Sequence, residues 1–187
     1  MAPDRHAPRA REGEALVIGA VIGEAPGRTD SALSPYAPNS AAARLTAMAD
    51  VAPCVFEMLQ RRNLFARTPS SWRQPEAVDA AWRALGWLRT IGADRVLLLG
   101  ARVAQAFERA LVPQIIGCLP VWSSTSLFDI AHGERRILHI RVIPHPSGRN
   151  RVYNAPDARR DAASAVRWAL GLEDSPATLM TYVNQGD

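Results

Sequence analysis

The sequence predicts a single α/β domain built on a parallel sheet, and three observations carry that prediction. Ala15 to Ile22 (ALVIGAVI) and Arg95 to Leu99 (RVLLL) are continuous apolar or nearly apolar runs, the pattern of strands buried on both faces. Gly100 follows the second run and leads at once into an Ala-rich segment from Ala101 to Leu111, so strand, glycine and helix stand in βα order. The chain has 187 residues, enough for one domain that buries roughly two-thirds of its unfolded surface without disulfide or metal staples.

The elements follow in order. Residues 1–14 (MAPDRHAPRAREGE) are polar, broken by Pro3 and Pro8, and lack the apolar centre of a secretory signal, so they are expected to form a disordered arm. The domain proper is expected over 15–172, and 173–187 reads as a loose tail. The first strand, 15–22, ends in Gly23-Glu24-Ala25-Pro26-Gly27, a turn at a strand's carboxyl end. Arg28 to Asn39 reads as a loop, and Ser40 is placed to cap a short helix through Ala49. Val55 to Arg62 has helical apolar spacing, and a brief second strand is expected at 63–66. Pro75 stands at a first helical position, and Val78, Ala81, Trp82, Leu85, Leu88 and Ile91 follow the 3.6-residue period. Further strands are expected within Ile115 to Ser124 and Arg135 to Ile143, and a final amphipathic helix over Asp157 to Leu170.

Composition narrows the function classes. The formal charge is +4 and all 22 basic residues are arginine, whose planar, permanently charged fork suits phosphate and raises the prior for a polyanionic partner. Only Cys54 and Cys118 are present, too few for an all-cysteine metal site or a disulfide framework, and a reducing cytoplasm is the expected setting. No apolar run approaches the roughly 18 residues of a membrane span.

In an open α/β sheet, ligands bind outside the carboxyl ends of the strands. Three polar segments are expected there: the Glu24 turn, Asn63 onward, and His145-Pro146-Ser147-Gly148-Arg149-Asn150. Taken singly, Glu24 is equally readable as a solvated carboxylate, Asn63 as a turn residue and His145 as a loop histidine satisfied by backbone. Neither GxGxxG nor GxxxxGK occurs at the glycine turn, which argues against nucleotide-phosphate binding of those kinds.

Taken together, these segments resemble the uracil-DNA glycosylase superfamily, in particular the branch of its iron-sulfur enzymes, across about residues 15–170. Gly23-Glu24-Ala25-Pro26-Gly27 is similar to the first family motif and His145-Pro146-Ser147 to the second. Ser34-Pro35-Tyr36-Ala37-Pro38-Asn39-Ser40 is similar to the segment bearing the base-stacking aromatic, with Tyr36 in that place. Asn63 matches the asparagine that reads the uracil edge. The resemblance implies a three-layer α/β sandwich around a central, mostly parallel four-stranded sheet. It also implies a monomer that acts on DNA containing uracil or another deaminated base. Three departures stand out. The family's central Arg-Pro-Pro-Gly-Asn-Arg stretch has only weak counterparts in Arg67-Thr68-Pro69 and Trp72-Arg73-Gln74-Pro75. The cluster cysteines are missing, so neither an iron-sulfur centre nor any other metal or cofactor is expected. Ala25 stands where many relatives carry a water-orienting Asp or Asn.

The roles implied follow the chemistry. Breaking the bond between base and deoxyribose leaves an oxocarbenium-like sugar and an anionic base. His145 is assigned to the base oxygen, its protonation left open, and Glu24 to water or the sugar cation. The base must leave the duplex to be reached, so Tyr36 is expected to stack on it, with Ala25 beside it and Asn63 reading its edge. Ser147, Arg149, Asn150 and Arg151 are expected on the DNA backbone. Two other readings remain: a weak or inactive member that binds DNA or modified bases or acts in modified-base metabolism, and a small hydrolase using Ser147, which lacks a GxSxG elbow.

Overall fold

The computed structural model describes residues 18–25, 33–111, 127–132, 136–147 and 150–172. The arm expected at 1–14, the tail at 173–187 and the strand expected within 115–124 lie outside them. The elements are β1 (Gly19–Gly23), α1 (Ala41–Ala49), α2 (Pro53–Phe56), β2 (Gln60–Asn63), α3 (Gln74–Thr90), β3 (Arg95–Leu99), α4 (Ala101–Leu111), β4 (Leu127–His132), β5 (Arg136–Ile143) and α5 (Pro156–Ala169), with a 3-10 turn at Arg151–Asn154 before α5.

The described strands form one sheet in the order β2-β1-β3-β5-β4. Strands β2, β1, β3 and β5 run parallel, and β4 adds a fifth, antiparallel strand at the edge, paired along β5. The apolar runs are continuous because each strand feeds two cores. Ala20, Ile22, Val96, Leu98, Leu138, Ile140 and Val142 pack with α3 and α4. Val21, Leu97, Leu99 and Ile143 pack on the other face with α1, α2 and α5. The fold is thus a three-layer α/β sandwich. Strand progression reverses at β1, and the crossover helices change face with it, as right-handed connections require.

Local chemistry accounts for several elements. Ser40 caps α1, its Oγ accepting from Ala43 N at 2.9 Å, and Asp50 closes the helix in the left-handed region at φ 51°. In α3 the buried stripe is Ala77, Ala80, Ala81, Ala84, Leu85 and Leu88. Small side chains let this helix lie close to the sheet, and Trp82, expected on the apolar stripe, lies on the exposed face instead. Trp168 of α5 is fully buried, with Arg141 at 4.7 Å and Arg95 at 5.5 Å from its ring centroid. Arg95 Nη1 also donates to Trp168 O at 2.6 Å, so a charged β3 side chain fastens α5 to the sheet.

The second strand departs from expectation. It occupies Gln60–Asn63, overlapping the end of the Val55 to Arg62 segment whose spacing suggested a helix, and only Pro53–Phe56 is α-helical there. Edge position explains this: β2 gains its hydrogen bonds from β1 and has little apolar surface to bury, so its QRRN sequence carries no strand signal.

Candidate functional site at the carboxyl edge of the sheet

Parallel pairing places the carboxyl ends of β2, β1, β3 and β5 side by side. Asn63 ends β2, Glu24 follows β1, Gly100 follows β3 and His145 lies two residues beyond β5. With strands about 4.8 Å apart, Glu24 and His145 stand roughly 10 Å from each other along this edge, and Asn63 and His145 roughly 14 Å. The reversal at β1 puts the crevice of an open α/β sheet between β1 and β3.

Two glycines permit close approach. Gly23 pairs in register with Asn63, and a Cβ at Gly23 would overlap Asn63 Oδ1, so the amide folds across the end of β1. The ladder continues past the strands, with Leu64 N donating to Gly23 O at 2.9 Å and Phe65 N to Glu24 O at 3.0 Å. Gly100 adopts φ +97°, and a Cβ there would stand 3.2 Å from His145 Cβ. Its N–H donates to Ile143 O at 2.8 Å, tying the start of α4 to the end of β5.

His145 is braced from its other side as well. Its carbonyl accepts from Ser147 N at 2.8 Å and from Asn150 Nδ2 at 3.0 Å. The buried Tyr153 donates its hydroxyl to Pro144 O, and burial pushes the Tyr153 pKa up. Burial lowers the His145 pKa from 6.5, and the negative charge of Glu24 partly opposes that. Burial thus favours the neutral imidazole over the cation.

Glu24 is half-buried and pairs with Arg102 Nη1 of α4 at 3.4 Å. Arg102 lies 5.5 Å from the Trp72 ring, and Trp72 meets Phe65 edge-on with centroids 5.7 Å apart. Sequence reasoning assigned no role to Arg102, Phe65 or Trp72. The available signals were the helix opening directly after Gly100 and the aromatic two residues beyond Asn63.

The remaining expected residues divide. Ala25 follows Glu24 in the turn. Tyr36 is 59% exposed, and its hydroxyl donates to Glu57 at 3.3 Å. The loop is held there by Arg61 Nη1 donating to Leu33 O at 3.2 Å and by Ser40 Oγ donating to Ser34 O at 2.7 Å. Asn150, expected on DNA, uses its side chain internally, donating to His145 O and accepting from Val152 N at 3.1 Å to cap the 3-10 turn. Ser147 is half-buried, Arg151 is exposed, and Arg149 lies outside the described residues.

No protein-family model and no curated protein matches the chain. Among solved structures it is similar to a domain of unknown function (DUF1537) from Bordetella bronchiseptica, a domain-swapped dimer crystallised with bound citrate. The identity is 19% and the TM-score 0.40, over 80% of this chain and 41% of that one. The chain thus spans about two-fifths of that neighbour's length. None of its described helices is long and apolar enough to cross a membrane.

Proposed function

We propose that the protein hydrolyses the N-glycosidic bond of uracil, or of a related deaminated base, flipped out of DNA. The observation that carries this reading is the braced backbone of His145, held by Ser147 N and Asn150 Nδ2 beyond the end of β5, on the same sheet edge as Glu24 and Asn63. As the bond to the sugar breaks, its electron pair stays on the base. An imidazole N–H aimed at the base oxygen stabilises that charge as it develops, and water adds to the sugar carbon with loss of a proton. Glu24 stabilises the cationic sugar or positions that water. The Asn63 amide accepts from N3–H and donates to O4 of uracil, a pattern that cytosine reverses. The setting is the reducing cytoplasm, and the partner is DNA.

A second reading is favoured by two observations. Glu24 already has a cation in Arg102, and Ala25 offers nothing to hold water. On that reading the same crevice binds DNA or modified bases without cleaving them.

One experiment separates the two: single-turnover incubation with labelled oligonucleotides carrying uracil, hypoxanthine, xanthine or 5-hydroxymethyluracil, followed by alkaline cleavage at abasic sites. Cleavage that falls by about 100-fold or more in His145→Ala, with little change in affinity, supports hydrolysis. Binding without cleavage of any of the four establishes the second reading. A cleaving wild type with a fully active His145→Ala variant places the electrostatic role on another residue.

A further inference from the structure

On the α1 and α5 side of the Pro146-Ser147 turn lies a separate pocket of about 290 Å³. Arg44 of α1 and Arg159 of α5 line it together with Ser147, Asn150 and Asn154, and none of its lining residues is acidic. Arg44 Nε is shielded from solvent without a hydrogen-bond partner. Arg159 Nε donates to Tyr153 O, which fixes its guanidinium, and among the described residues neither arginine forms an ion pair. The neighbouring Arg160, by contrast, is paired with Asp157 at 3.1 Å.

We propose that this pocket is a binding site for a phosphate group. Two guanidiniums in one polar pocket repel each other, and a buried N–H with no partner is unfavourable. A single tetrahedral oxyanion relieves both, because its oxygens accept from two planar forks at once and leave one for the Ser147 hydroxyl or the Asn154 amide. The volume exceeds what a bare carboxylate fills and suits a phosphate carrying part of a sugar. Ser147 lies two residues from His145, at most about 7 Å along the chain, so the pocket neighbours the crevice. The phosphate comes either from a DNA backbone or from a free nucleotide. The site stands whether or not the protein cleaves bases.

The test is titration of the full chain with inorganic phosphate, followed by NMR, and with an undamaged labelled oligonucleotide, followed by anisotropy. Saturable phosphate binding that shifts Ser147 and Asn154 resonances is expected, weakened about tenfold or more in Arg44→Gln and only partly restored in Arg44→Lys, which keeps the charge but loses the fork and its Nε. Arg44 makes no described side-chain hydrogen bond, so Arg44→Gln remains informative if Arg159→Gln loosens the 3-10 turn. If the natural source is a DNA backbone, Arg44→Gln also weakens the oligonucleotide and lowers its salt slope by about one unit. Unchanged oligonucleotide binding alongside lost phosphate binding identifies a free nucleotide as the source. Phosphate that fails to bind, or binds wild type and Arg44→Gln equally, overturns the proposal.

Discussion

Gly100→Ala tests how closely β3 and β5 deliver His145 to the crevice. The residue sits at φ +97°, where an L side chain is strained by roughly 1–3 kcal/mol. The added methyl would also meet His145 Cβ at 3.2 Å, tighter than ordinary van der Waals contact. That neighbour cannot swing aside as the end of a flexible side chain would. Its backbone is held by Ser147 N and Asn150 Nδ2, and Tyr153 holds the carbonyl of Pro144 before it. Overpacking therefore adds about 1 kcal/mol or more, for a total near 2–4 kcal/mol. Gly86 in α3 is the matched control. It is exposed, mid-helix, and a Cβ there meets nothing within 4 Å, so Gly86→Ala should stabilise by about 0.5–1 kcal/mol. Urea unfolding measures both, with midpoints moving in opposite directions and slopes unchanged. NMR should show His145 displaced only in the Gly100 variant. A Gly100→Ala protein within about 0.5 kcal/mol of wild type, with His145 resonances unmoved, would refute the argument that this backbone conformation is required.

Three further outcomes are expected. Glu24→Gln removes the charge that partly offsets burial, so the His145 pKa measured by NMR should fall further below 6.5; a rise would mean the two groups are not coupled as described. Because that pKa is already lowered in the folded protein, the unfolded chain binds more protons once the pH drops below 6.5. Stability should therefore decline as pH falls through that region toward the folded-state pKa, and His145→Gln should flatten the decline measured by urea unfolding. Asn150→Ala removes both the cap of the 3-10 turn and the brace on the His145 carbonyl, for a loss of about 1–2 kcal/mol and a shifted His145 signal, whereas Asn150→Asp should keep the cap and lose only the brace.

Residues whose signal is local were legible in the sequence. Strands β1 and β3 announce themselves because a central parallel strand must be apolar on both faces, and Ser40 marks the start of α1 because a hydroxyl there satisfies an otherwise orphaned N–H. The placement of Glu24 and His145 along one edge follows from the same logic, since parallel strands share their carboxyl ends, whereas Asn63 ends a strand that was expected to begin there. What no local pattern carries is pairing between distant segments. Strand β2 exists because β1 offers it hydrogen bonds, and β4 because β5 does. The Glu24–Arg102 ion pair joins the end of β1 to α4, and the contact between Gly100 and His145 depends on β3 and β5 lying side by side. The Tyr36–Glu57 hydrogen bond and the tie of Arg61 to Leu33 likewise join the 33–40 loop to segments more than 20 residues away. Arg44 and Arg159 belong to helices far apart in the chain and meet in one pocket because α1 and α5 cover the same face of the sheet. Periodicity and capping report what a residue does for its own element, and only the packing of elements decides which side chains meet across them.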